Sequence, residues 1–201
     1  CRPEELIELT GYARRFAREY GIPIDTAMIS DVPGYTWGII PVLAQSGVRY
    51  FSIGPNAGHR IGHTLSTWGD KPFYWVSPSG GEEVLCWVAG KAYSWFHSRR
   101  LDDETRLLDY LNDLENSGFP YDIVQVRYNI GGDNGPPDPL LPDFVRRWNE
   151  KYAFPKLVIA TTKQAFASFE ERYGAALPRI SGDFTPYWED GAASSALETG
   201  I

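Results

Sequence analysis

Apolar residues in this chain fall by turns at helical spacing and in short continuous runs, which predicts helices alternating with buried strands. Glu4–Tyr20 carries Leu6, Leu9, Ala13, Phe16, Ala17 and Tyr20 on one face, with Pro3 in its first turn and Gly21 at its stop. After Pro23, the strand-forming run Ile24–Ser30 stops abruptly at Asp31. Pro33 and Gly34 make a turn, Thr36–Ser46 reads as a second helix ended by Gly47, and Val48–Ile53 as a second strand. This β-α-β order predicts parallel strands with a right-handed crossover.

Residues 54–70 hold four Gly, two His and no periodicity, so they read as a long functional loop. Phe73–Val76 and Glu83–Val88 flank SPSGG and predict a hairpin inserted over the end of a sheet. Leu101–Asn116 reads as a helix with Leu101, Leu107, Leu108, Leu111 and Leu114 inward and Asp102 and Asp103 at its N-terminus. A third parallel strand is expected over Asp122–Asn129, a helix over Pro142–Tyr152, and a strand over Lys156–Ala160. A helix over Thr162–Tyr173 and a strand starting in Leu177–Phe184 complete the series. The order fits an α/β fold, either a doubly wound sheet or part of a β/α barrel, in one domain over residues 1–201.

Composition narrows the function. With 26 acidic against 19 basic residues, a net charge of -7 and no basic run, a phosphate-neutralising face for nucleic acid is not expected. No apolar run approaches the roughly 18 residues of a membrane span. Cys1 and Cys86 lie in no Cys-x-x-Cys or Cys/His pattern, and Cys86, within VLCWV, reads as a small buried hydrophobe. The chain begins with Cys and holds a single Met, Met28, which reads as an excerpt of a longer protein.

Two strand ends then stand out. Asp31 follows the first strand in ISDVPG, and Asp133 follows the third in YNIGGDNGPP. Carboxylates in turns at the C-terminal ends of parallel strands sit where α/β proteins place their chemistry, and a pair of them can divide nucleophile and acid roles in sugar hydrolysis. Each also has a plain reading, Asp31 as a helix cap and Asp133 as a turn former. Tyr35, Trp37, Trp68, Trp75, Tyr187 and Trp188 lie in or beside the loops, where flat rings suit either a sugar or packing. His59 and His63 stand four apart, but Gly58 and Gly62 argue against the helix a metal pair would need. P-loop, dinucleotide and GxSxG patterns are absent.

The segments ISDVPGYTWGIIPVLAQSGVRYFS, RYNIGGDNGPPDP, FPKLVIATTKQAFASFE and LPRISGDFTPYWEDG, in that order, resemble family 38 glycoside hydrolases, the α-mannosidases. The resemblance implies a partial β/α barrel of the seven-stranded type, with parallel strands and an inserted β-hairpin. It implies a retaining, metal-dependent glycosidase in which Asp31 is nucleophile and Zn²⁺ ligand and Asp133 is acid/base. Tyr35, Trp37, Asn134, Trp188 and Asp190 are the candidate carbohydrate contacts. The family's His-x-Asp metal pair would precede Cys1 and its last metal-binding His would follow Ile201, so the partners expected are a sugar and the rest of a parent chain. These residues alone are expected to bind zinc weakly or not at all and to turn nothing over. TPYWEDG replaces the family's His-Gly segment, which marks a divergent branch and leaves the sugar open. A deacetylase-like hydrolase and a non-catalytic carbohydrate-binding domain are the alternatives.

Overall fold

The strand run after Pro23 pairs as the β-α-β rhythm predicts. In the computed structural model, which describes residues 3–31, 35–56, 67–91, 93, 104–128 and 134–184, β1 (Thr26–Ser30) lies parallel to β2 (Tyr50–Gly54) with Thr26 opposite Tyr50 and Ser30 opposite Gly54. Between them runs α3 (Ile39–Gln45), preceded by α1 (Pro3–Glu8) and α2 (Gly11–Tyr20). The hairpin strands β3 (Phe73–Val76) and β4 (Glu83–Val88) come next, and β5 (Arg179–Ile180) closes the order β1-β2-β4-β3-β5. Helices α4 (Glu104–Asn116), α5 (Leu141–Lys151) and α6 (Thr162–Tyr173) lie between β4 and β5 in the chain. No helix among the described residues is long and apolar enough to cross a membrane.

The period-two alternation of strands splits the core between the two faces of this sheet. On one face Phe51, Ile53, Val84, Cys86 and Trp75 pack against Ile39, Ile40 and Leu43 of α3. On the other, Tyr50, Leu85 and Trp87 pack against Phe166 and Phe169 of α6. A third cluster, Leu107, Phe144 and Trp148, joins α4 to α5, and the Trp148 indole N–H donates to the Pro155 carbonyl at 2.8 Å. Glu170 of α6 accepts from Tyr50 at 2.7 Å, Tyr74 at 2.9 Å and Arg49 at 3.0 Å, tying the helix to two strands. Cys86 is fully buried, and burial pushes its thiol well up, as a small hydrophobe requires.

Among the described residues the sheet is five-stranded, mostly parallel and not closed. Three sequence expectations need correction. The hairpin is not laid over the end of the sheet but built into it: β4 runs parallel to β2, and β3 is antiparallel to β4. Its fully buried Phe73 and Trp75 explain why, since they supply core to both sheet and α3. Residues 122–128 and 156–160 form no strand, and Val126, Val158 and Ile159 along them stay exposed. Apolar alternation marks where a strand can form; without a neighbouring edge the ladder is not made. The predicted first helix is two helices, broken at Leu9–Thr10, where the Thr10 hydroxyl bonds the Ile7 carbonyl at 3.2 Å and the Ser46 hydroxyl at 2.7 Å. Its apolar stripe is only partly covered: Leu6 packs against the core, while Leu9, Phe16 and Tyr20 are exposed.

Candidate functional site

β1 delivers Asp31 to its C-terminal end. The Asp31 amide donates to the Gly54 carbonyl at 2.9 Å, which carries the parallel ladder one residue past the strand. Its φ is +64°, the left-handed region that non-glycine residues occupy at local cost and that clusters at functional sites. One carboxylate oxygen accepts from the Asn56 side-chain amide at 2.7 Å. The capping alternative does not hold for α3, whose N-cap is Gly38 with no side-chain cap bond.

Beside Asp31, the sheet face bearing Met28, Ser30, Ser52 and Gly54 opens on a cavity of about 1600 Å³. Its far wall is α4, the extended residues 121–128 and residues 154–162. Asp31, Asn134 and Arg127 all line it. Asn134 carries a positive φ of 55° in the turn after the GGD segment.

Arg127 reaches across from the extended segment. Its Nη1 donates to the Ser30 hydroxyl at 2.8 Å and its Nη2 to the Ser52 hydroxyl at 2.6 Å, one serine on each strand. Burial lowers its pKa to about 10, still protonated at neutral pH, and no carboxylate among the described residues lies within ion-pair distance of it. Sequence reading passed over this residue because it sat inside a predicted strand. The signal was there in DIVQVRYN: Gln125 and Arg127 share one side of an otherwise apolar alternation.

Tyr35 and Trp37 lie in the core instead. Tyr35 is in the core on the opposite sheet face, 4% exposed, its amide bonded to the Phe184 carbonyl at 3.2 Å and its hydroxyl without a hydrogen-bond partner. Burial raises its pKa accordingly. Trp37 packs against the same core and donates its indole N–H to the Val76 carbonyl at 2.7 Å. Trp68 and Trp75 also pack there. Asp133, Trp188 and Asp190 lie outside the described residues, as do His59, His63, Tyr187 and Glu189. Among the described residues no three His, Cys, Asp or Glu side chains converge on a point, so Asp31 alone there does not make a metal centre.

A family model described as "Glycosyl hydrolases family 38 N-terminal domain" matches residues 2–190. No curated protein matches the sequence. Among solved structures, the fold is similar to that of an alpha-mannosidase from Enterococcus faecalis V583, with a TM-score of 0.68 and 11% identity. That likeness covers 90% of this chain and 20% of the mannosidase, so the chain spans about a fifth of that protein's length.

Proposed function

This chain belongs to the family 38 glycosyl hydrolase N-terminal domains, and on that footing we propose that it is part of the catalytic domain of a retaining, metal-dependent glycosidase of the α-mannosidase type. The observation that carries the reading is Asp31: a carboxylate at the C-terminal end of a parallel strand, held by Asn56 and facing a cavity large enough for a sugar. In this reading the strands belong to a seven-stranded barrel that further chain completes.

Asp31 attacks the anomeric carbon as the glycosidic C–O bond breaks, giving a covalent glycosyl-enzyme. Asp133 gives its proton to the departing oxygen, then takes one from the water that releases the sugar. The Asn56 amide suits this division, because it holds one carboxylate oxygen and leaves the second for attack. Zn²⁺ belongs to the proposal, with Asp31 as one ligand and the others outside these 201 residues.

The test uses the full-length protein with a fluorinated glycosyl fluoride, whose slow second step traps the intermediate. Peptide mapping should find the sugar on Asp31, and chelation should abolish a turnover that added Zn²⁺ restores. Label on a different carboxylate refutes the assignment. Deacetylation without labelling favours the deacetylase, and sugar binding without any turnover favours the non-catalytic domain.

A further inference from the structure

We propose that Arg127 is a specificity-determining contact of this site, its guanidinium taking a pair of oxygen acceptors on the sugar bound beside Asp31. The inference rests on the glycosidase reading and adds a residue to it.

The geometry is specific to the three positions that meet here. Ser30, Ser52 and Gly54 share one face of the sheet, since Ser52 stands opposite Met28 and Gly54 opposite Ser30 in the β1–β2 register. The guanidinium lies over that face, in the space a side chain at position 54 would fill. A Cβ on Gly54 would stand 2.0 Å from Arg127 Nη1 and 2.8 Å from its Cζ. The glycine is the reason an arginine from a distant segment can lie flat at the ends of two strands.

Donor accounting then points outward. A guanidinium has five N–H groups in a rigid fork. One on Nη1 goes to Ser30, one on Nη2 goes to Ser52, and Nε reaches Gln125 only at 3.4 Å. Each terminal nitrogen keeps a second N–H. Both serines act as acceptors toward the arginine, which frees their own O–H groups to donate. The cavity floor is thus rich in donors and carries a positive charge with no carboxylate beside it among the described residues. Its complement is an oxygen-rich acceptor: vicinal sugar hydroxyls, or an oxyanion substituent such as a phosphate.

Two probes separate those sources, mannose and mannose 6-phosphate, titrated calorimetrically into the full-length protein. Arg127→Ala should weaken whichever probe binds by about 100-fold or more, the worth of a pair of charge-assisted hydrogen bonds. Gly54→Ala should do the same while leaving every atom of Arg127 in the chain, because its methyl takes the guanidinium's place. A loss confined to the phosphorylated probe assigns an oxyanion, and an equal loss on both assigns hydroxyls. If either variant keeps its fold by circular dichroism and binds within twofold of the parent, Arg127 is only a structural tie and the proposal fails. If Arg127→Ala does not fold, Gly54→Ala decides alone. If the parent protein binds neither probe, the glycosidase reading falls and takes this inference with it.

Discussion

Gly90 and Gly54 present almost the same collision and should give opposite results. A methyl on Gly90 would stand 1.9 Å from an Asp70 carboxylate oxygen, and one on Gly54 would stand 2.0 Å from Arg127 Nη1. Neither glycine has a positive φ, so backbone strain does not enter. What differs is the freedom of the atom that must yield. Arg127 is the far end of a flexible side chain beside an open cavity; it can swing into solvent and lose two hydrogen bonds to serines. Re-solvation offsets most of that, and an alanine also restricts the unfolded chain, so Gly54→Ala should cost about 1 kcal/mol or less. Asp70 is 2% exposed, short, and held by the Gly90 amide at 3.0 Å and by the Tyr110 hydroxyl. Displacing it breaks two hydrogen bonds to a buried carboxyl group, about 1.5–3 kcal/mol each where the acceptor is charged. Gly90→Ala should therefore lose about 3 kcal/mol or more, a large share of the 5–15 kcal/mol typical of a domain. Urea unfolding followed by tryptophan fluorescence measures both. A Gly90→Ala loss under about 1 kcal/mol, or equal losses in the two variants, would refute the reasoning.

Asp70 also sets a pH dependence. Burial is the largest influence on it and raises its pKa, against the Tyr110 and Gly90 hydrogen bonds and Lys91, which lower it. A carboxyl with a raised folded pKa contributes its full stability below its unfolded value and loses it as pH rises through the folded one. Asp70→Asn escapes that loss, so its stability relative to the parent should climb across this window in denaturation at stepped pH; a falling difference contradicts the assignment. Glu170→Gln should cost about 1–2 kcal/mol in urea unfolding, since an amide cannot accept from Tyr50, Tyr74 and Arg49 together. The same change should bring the Tyr50 and Tyr74 pKa values down from about 12 in a spectrophotometric titration, because Glu170 and burial hold them there. Cys86 should resist an aromatic disulfide reagent in the native protein and react once it is unfolded; rapid native labelling mapped to Cys86 would contradict its burial.

Local signals were legible where one segment holds all the information. α6 begins where it was expected because Thr161 and Gln164 form a reciprocal capping box. The strand end at Asp31 was legible from an apolar run halted before Pro and Gly. Long-range consequences were not. Whether residues 122–128 form a strand depends on an edge to pair with, which periodicity does not encode. The apolar face of the first predicted helix was legible, but a stripe shows only that a helix has one face to bury and not what covers it. Arg127 did not stand out in the sequence because the space its guanidinium fills is left open by a glycine 73 positions away, in β2.

β1 is the outermost strand of the sheet, paired on one side only among the described residues. Its sequence, Thr-Ala-Met-Ile-Ser, contains no charge and no proline, and Met28 is exposed on it. Such an edge is open to a further strand, from the rest of a parent chain or from another molecule, and charges at its ends discourage the second. Here those charges are Asp25, which is engaged with Lys163 at 2.5 Å, and Asp31. The proposed nucleophile thus stands as one of two charges guarding this edge. Neutralising it with Asp31→Asn removes the proposed nucleophile and one of two guards at once, so a loss of activity in that variant carries meaning only beside a measured sedimentation profile.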